Sequence, residues 1–93
     1  MTEMPLTLQK TYHRMGFFNV PVSHERFFGQ DGEVIRIDFG GQHTEGSINR
    51  RCNLNHTPRI MGYVPLRDWL QKHYASGDTL TVTIRNPNHI VIG

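Results

Sequence analysis

A strict alternation of apolar and polar residues limits the fold of this sequence more than any other feature. In residues 79–84, apolar side chains alternate with three threonines. Residues 33–39 repeat the pattern, with Ile35, Ile37 and Phe39 spaced two apart. A period of two places alternate side chains on opposite faces of a β-strand. Both segments therefore predict half-buried strands, and β-branched threonine suits the exposed face of such a strand.

The rest of the chain predicts more strands and two small helices. Further strands are predicted at residues 7–11, 17–20, 46–50 and 89–92. Residues 65–74 have the apolar spacing of a helix that starts near Pro65 and stops near residues 75–77, where Gly77 suits a left-handed cap. A shorter helix or turn is expected at residues 23–28, with Ser23 as its N-cap. The sequence thus predicts a mostly β domain with two short α-helices, compatible with a closed or half-open barrel.

Length and composition narrow the class of protein. Ninety-three residues support a single domain, residues 1–93, with a thin hydrophobic core. No apolar run approaches the roughly 20 residues that a membrane-spanning helix needs. The first residues lack the pattern of a secretory signal, and the single cysteine, Cys52, excludes an internal disulfide. We therefore expect a cytoplasmic protein that does not associate with membranes.

The small net charge of +2 hides a segregation of charge along the chain. Residues 4–24, the first acid-free segment, contain no Asp or Glu but include Lys10 and Arg14. Residues 46–67, the second acid-free segment, contain four arginines and again no acid. Together the two segments carry +6, so the remainder of the chain is acidic. Concentrated positive charge of this kind is typical of a surface that meets an anionic partner.

Both acid-free segments are rich in side chains that can read bases or bind phosphates. The candidates are Gln9, Lys10, Tyr12, His13 and Arg14 in the first segment, and Ser47, Asn49, Arg50, Arg51, Asn53, Asn55, Arg59 and Arg67 in the second. Arginine can bind guanine through two donors, and Asn or Gln can bind adenine in a similar way. Composition alone leaves a second interpretation open, in which these residues form solvated loops of a small basic domain.

Catalytic and metal-binding patterns are weak in this sequence. No two of the six histidines are separated by three to five residues, and Cys52 and His56 lack a second pair with matching spacing for zinc. Cys52 with a histidine is the one candidate for nucleophilic catalysis, and nothing places two carboxylates in one pocket. We therefore expect no enzymatic activity, no metal and no cofactor.

Two motifs resemble B3-like DNA-binding domains. Residues 16–21 read Gly-Phe-Phe-Asn-Val-Pro and precede a Ser-His-Glu-Arg-Phe-Phe segment, which resembles the strand, proline and short helix that open the family's pattern. Residues 62–70 read Gly-Tyr-Val-Pro-Leu-Arg-Asp-Trp-Leu, and Gly-Asp-Thr-Leu-Thr-Val follows at 77–82, which resembles its second signature. Plant members carry Gly-Trp in place of Gly-Tyr-Val-Pro. The compact chain looks more similar to the effector domains of bacterial restriction endonucleases of the EcoRII and BfiI type.

The resemblance implies a β pseudobarrel of about seven strands with two short helices. It also implies that two arms grip double-stranded DNA in the major groove. The first arm would be residues 9–14 and the second residues 47–59, which lie within the two acid-free segments. A nuclease domain on the same longer chain or on a partner subunit would supply catalysis.

On this interpretation the candidate residues divide by role. In the second arm, base edges would be read by Asn49, Arg50 and Arg51, with support from Asn53 and Asn55. In the first arm, bases would be read or the arm positioned by Tyr12, His13 and Arg14. Phosphates would be bound by Lys10, Arg59 and Arg67. Two alternatives remain. A protein-interaction β-barrel predicts arginines spread around the surface, and a small hydrolase predicts that Cys52 and His56 converge in a pocket.

Overall fold

The computed structural model describes residues 2–93, which form seven β-strands, two α-helices and one 3-10 helix. The strands are β1 (Thr2–Thr7), β2 (Phe17–Asn19), β3 (Val34–Phe39), β4 (Gln42–Asn49), β5 (Arg59–Met61), β6 (Thr79–Asn86) and β7 (His89–Ile92). The α-helices are α1 (Lys10–Met15) and α2 (Tyr63–His73), and the 3-10 helix covers Val22–Phe27. The predicted mostly β fold class is confirmed.

All seven strands belong to one curled sheet with the order β1-β6-β7-β3-β4-β5-β2. Neighbouring strands are antiparallel except β3 and β7, which run parallel. Strands β1 and β2 form the two edges and do not pair with each other within the described residues. A shallow groove of about 300 Å³ lies between these edges, so the barrel stays half open.

The alternation seen in the sequence produces the core. Leu80, Val82 and Ile84 of β6 are each at most 6% exposed, and Ile35 and Ile37 of β3 are fully buried. Their threonine and charged neighbours on the same strands lie toward the outside of the barrel. The predicted inward faces of these two strands are therefore confirmed.

Helix α2 closes the core from one end of the barrel. Its Trp69 packs against Phe39 with the ring centroids 5.2 Å apart, and Leu66 and Leu70 are buried beside it. The helix begins at Tyr63, two residues before the predicted start. It ends at His73, earlier than predicted, because the backbone turns extended at Tyr74 (φ −139°).

The segment around residues 7–11 was expected to be a strand, and this prediction is wrong. The strand is β1, which ends at Thr7, and helix α1 begins at Lys10. Gly16 ends α1 in the left-handed region (φ 76°) and donates its N–H to the carbonyl of Tyr12. A β-carbon at Gly16 would approach the backbone oxygen of Tyr63 within 2.6 Å. Glycine therefore allows both the turn and the close approach of α1 to α2.

Two further expectations need correction. The short helix expected at residues 23–28 is a 3-10 helix over Val22–Phe27, and its N-cap position is Pro21 rather than Ser23. The Ser23 hydroxyl instead bonds to the ring nitrogen of its neighbour His24 at 2.8 Å. Strand β5 was not predicted as a separate element, because three residues are too short for an alternating pattern to be recognised. Within residues 2–93, no helix is both long and apolar enough to cross a membrane.

Candidate nucleic-acid interface

Three polar residues lie side by side across strands β2, β5 and β4. The strand registers place Asn19 opposite Arg59, and Arg59 opposite Asn49. Paired residues of antiparallel strands point to the same face of a sheet. We call these three residues the central row. They are half-buried, on the face opposite to the core residue Ile60.

The Arg59 guanidinium is held in place from two directions. Its Nε donates to Asn19 Oδ1 at 3.0 Å, and its Cζ lies 4.3 Å above the centroid of the Phe17 ring. Stacking on an aromatic face and a directed hydrogen bond both reduce the number of rotamers open to a long side chain. The terminal nitrogens of Arg59 have no hydrogen-bond acceptor among residues 2–93.

The loop of residues 50–58 joins β4 to β5 and lies against the central row. Asn53 Nδ2 donates to Asn19 Oδ1 at 3.2 Å and to the Thr57 carbonyl at 3.0 Å. Asn19 Oδ1 therefore accepts from both Asn53 and Arg59. Because Asn19 belongs to the first acid-free segment and its two donors to the second, the two segments meet at this oxygen.

Arg50 anchors the base of the 50–58 loop. Its side chain is only 15% exposed and donates five hydrogen bonds. The acceptors are Glu25 Oε2 (2.8 Å) and the carbonyls of Glu25 (3.0 Å), Phe28 (3.0 Å), Gly29 (2.8 Å) and His56 (3.2 Å). The guanidinium thus ties the loop to the 3-10 helix and to the two residues that follow it. This placement gives Arg50 a structural role, whereas its role in reading a base stays a prediction.

Arg51 differs sharply from its neighbour. Its side chain is 88% exposed, and its Nε lies 2.9 Å from Asp31 Oδ2. Asp31 also accepts the backbone N–H of Arg50 at 2.8 Å, while Asn49 Oδ1 accepts the N–H of Arg51 at 2.8 Å. An exposed ion pair adds little to stability. Arg51 can therefore exchange Asp31 for an external anion or base at small cost.

The first predicted arm is mostly the helix α1 rather than an extended loop. Lys10 and Arg14 point into solvent, and neither has an ion-pair partner in the described part of the chain. Tyr12 is buried at 7% exposure and packs on Phe17 with centroids 5.8 Å apart. The Tyr12 ring is thus part of the buried cluster rather than of an exposed arm.

The remaining candidates of the first arm lie at the ends of α1. His13 Nε2 bonds to the carbonyl of Tyr74 at 2.8 Å, which ties α1 to the end of α2. Gln9 is exposed and lines the groove between β1 and β2. The structure therefore brings Lys10 and Arg14 to the surface and uses Tyr12 and His13 for packing.

Three candidates of the second segment remain, and all three lie outside the central row. Ser47 Oγ bonds to the Tyr63 hydroxyl at 2.6 Å, beside the row. Asn55 Oδ1 accepts from the Thr57 hydroxyl at 2.9 Å, within the loop. Arg67 lies on α2 and pairs with its neighbour Asp68 at 3.0 Å.

Sequence reasoning missed four residues that shape this surface: Asn19, Glu25, Asp31 and Tyr63. Asn19 could have been found, because it is the one polar residue in the Phe-Phe-Asn-Val-Pro strand. Glu25 and Asp31 could not, because nothing local to either residue indicates a partner 19 to 25 residues away.

Two carboxylates outside this surface have perturbed titration. Hydrogen bonds from Arg36 and from His89 hold the pKa of Asp38 below its usual value. The backbone N–H of Gln30 and the side chain of Asn88 lower the pKa of Glu33. Both acids are therefore charged at neutral pH and serve to join strands and loops of the barrel.

The structure does not bring together the Cys52–His56 pair that nucleophilic catalysis would use. Cys52 is exposed, with its sulfur 3.9 Å from the Asn49 carbonyl, and no hydrogen bond joins it to His56 among residues 2–93. In the same range, no group of three or more His, Cys, Asp or Glu side chains could hold a metal ion.

These features define a half-open β pseudobarrel with a polar, arginine-bearing loop beside a row of amide and guanidinium groups. The fold is B3-like, as the sequence resemblance implied. No protein-family model matches the chain, and no curated protein is similar to it in sequence.

Solved structures show the same architecture. The N-terminal domain of Helicobacter pylori LlaJI.R1 superposes with a TM-score of 0.74 at 11% identity, over 99% of this chain and 79% of that one. A hypothetical Arabidopsis thaliana protein superposes with a TM-score of 0.69 at 7% identity, over 99% and 87% of the two chains. The Arabidopsis FUS3–DNA complex gives 0.66 at 18% identity, over 96% and 92%.

Proposed function

We propose that this chain binds double-stranded DNA in a sequence-specific manner through the central row, the 50–58 loop and helix α1. The observation that carries the proposal is the shared oxygen of Asn19, which accepts from Asn53 and Arg59. This oxygen brings the two acid-free segments together, so that residues of both contribute to one surface. The fold shared with the FUS3–DNA complex supports the same choice of ligand.

The chemistry of this surface suits base edges in the major groove. Arg51 and Asn49 lie together at the end of β4, and both have polar atoms free to bind an external partner. Arginine reads guanine and asparagine reads adenine through paired hydrogen bonds, each contributing about 1–3 kcal/mol of discrimination. Arg59, fixed over Phe17, and Lys10, exposed on α1, would neutralise phosphates.

We further propose that this domain recognises DNA and leaves catalysis to another part of the system. The sequence resemblance to effector domains of restriction endonucleases supports a nuclease domain on the same longer chain or on a partner subunit. A cytoplasmic location in a bacterium would give it access to DNA.

The protein-interaction alternative predicts arginines spread around the barrel. Five of the eight arginines do lie on separate elements, namely α1, the 3-10 helix, β3, α2 and β6. The other three, Arg50, Arg51 and Arg59, cluster in or next to the 50–58 loop, and this local cluster is what favours DNA. The hydrolase alternative requires a Cys52–His56 pair, and this pair is not hydrogen-bonded among the described residues.

Selection from random duplexes, followed by gel-shift titration at several salt concentrations, tests the proposal. We expect one enriched sequence motif, and an affinity for it that falls with salt by a log–log slope of about −0.9 per phosphate contacted. Binding that is equally tight on unselected duplexes would refute sequence specificity. Absence of any binding at low salt would refute DNA as the ligand.

A further inference from the structure

One apolar side chain projects from the proposed DNA-binding surface. Leu54 is fully exposed, with 104% of its reference area open to solvent. The other large exposed apolar residues among residues 2–93 range from 49% to 63%, so each of them keeps part of its surface covered. Burying a leucine side chain contributes about 1.5–3 kcal/mol. Leu54 gains none of this stabilisation in the free protein, because its side chain is not buried.

The backbone around Leu54 forms a closed turn. The N–H of His56 donates to the carbonyl of Asn53 at 3.1 Å, which places Leu54 and Asn55 at the two central positions. Turns of this kind favour Gly, Pro, Asn, Asp or Ser at these positions. Neither turn chemistry nor the core therefore accounts for a leucine at the tip.

The turn is held firmly at both ends. On one side, Asn53 donates to Asn19 and to the Thr57 carbonyl. On the other side, Arg50 donates to the carbonyl of His56 at 3.2 Å. Leu54 is therefore held at the end of an anchored loop, and its position relative to the central row is fixed.

We propose that Leu54 is a specificity-determining residue that contacts the C5 methyl group of a thymine in the major groove. This inference rests on the proposed function. The exposed Arg51 belongs to the same loop and Asn55 follows the leucine in the turn, and both provide hydrogen-bonding groups for base edges or phosphates. In such a setting the only apolar feature that a base pair offers in the major groove is the thymine methyl.

Thymine-to-deoxyuridine scanning tests the proposal, because the exchange removes one methyl and leaves all hydrogen-bonding groups in place. The probe is the duplex selected by the wild-type protein, with each thymine replaced in turn. We expect one replacement to weaken wild-type binding by about fourfold, the factor for burying one methyl. The Leu54→Ala protein should bind the parent duplex about tenfold more weakly and show no loss at that thymine.

Two controls separate this contact from other effects. Val22→Ala truncates another exposed apolar residue, 63% exposed on the 3-10 helix and outside the loop and central row, and should bind like the wild type. Circular dichroism and thermal melting should show that Leu54→Ala folds normally, because the side chain contacts nothing in the core.

Two results would overturn the inference while leaving the proposed function intact. In the first, the wild-type protein selects a duplex but tolerates deoxyuridine at every thymine, or selects a site without thymine. In the second, Leu54→Ala keeps the same sensitivity to deoxyuridine, so another residue contacts the methyl. If the wild-type protein selects no duplex, the proposed function itself is wrong.

Discussion

Arg50 donates two hydrogen bonds to Glu25, one of 2.8 Å from Nη1 to the carboxylate and one of 3.0 Å from Nη2 to the backbone carbonyl. These bonds cross 25 residues of sequence and tie the 50–58 loop to the 3-10 helix. A single planar guanidinium can satisfy several carbonyls at once because its five N–H groups point in fixed directions. The shape of the proposed DNA-binding loop therefore depends on one side chain.

Replacing Arg50 should lower the stability of the fold. Arg50→Ala leaves the carbonyls of Phe28 and Gly29 without their donor, and we expect the free energy of unfolding to fall by about 2–3 kcal/mol. The Glu25 side chain is 38% exposed, so water can replace part of the hydrogen bonding that its carboxylate loses when Arg50 is removed. Urea denaturation measures the loss. Glu25→Gln, which keeps the acceptor, should cost less than about 1 kcal/mol. Equal stability of Arg50→Ala and wild type would show that the five hydrogen bonds of Arg50 do not stabilise the fold.

Arg51 should matter for DNA and not for folding. Its side chain is 88% exposed and paired only with Asp31, so Arg51→Ala should change the free energy of unfolding by less than about 0.5 kcal/mol. If Arg51 reads a base, the same change should weaken binding to the selected duplex by about 1–3 kcal/mol and relax the preference at one position. Arg85→Ala, an exposed arginine on β6, is the matched control. Unchanged selection by Arg51→Ala would remove this residue from the interface.

The two lysines of the chain provide a matched test of helix α1. Lys10 begins α1, and Lys72 lies in the last turn of α2. If Lys10 contacts a phosphate, Lys10→Ala should weaken binding to all duplexes alike and reduce the magnitude of the salt slope by about 0.9. Lys72→Ala should leave the slope unchanged. Gel-shift titrations from low to physiological salt measure both slopes, and equal slopes for the two variants would exclude the α1 contact.

Asp38 should make the stability of the barrel depend on acid pH. Arg36 and His89 hold the pKa of Asp38 below its usual value in the folded state, whereas in the unfolded chain this pKa has the usual value of about 3.9. The unfolded chain therefore takes up the proton first as the pH falls. The stabilisation is complete above about pH 4 and is lost as the pH drops through the lower, folded value.

Urea unfolding at a series of pH values between about 5 and 2 measures this dependence. Asp38→Asn removes the titrating group, so its free energy of unfolding should fall less steeply over this range. Glu33, whose pKa is also lowered, is present in both proteins, so the difference between the two curves isolates Asp38. Parallel curves for the two proteins would show that the hydrogen bonds to Asp38 do not make the free energy of unfolding depend on pH.

Much of the barrel could be predicted from the sequence because alternation is a local property. The inward face of β6 and the strand at 89–92 follow from residues two apart, which the pleat sends to one side. Helix α1 was missed for the opposite reason. Six residues are too few to be stable as a helix by themselves, and α1 depends on its contacts with α2 and on the turn at Gly16.

The candidate site divides in the same way. By itself the sequence determined which two segments carry positive charge without acids, since charge is read residue by residue. Only the tertiary structure decided how neighbouring arginines are used. Arg50 is enclosed by acceptors 21 to 25 residues away, while Arg51 stays in solvent. The meeting of Asn19 with Arg59, 40 residues apart, likewise depends on β2 pairing with β5, because hydrogen bonds over such distances exist only once the sheet has closed.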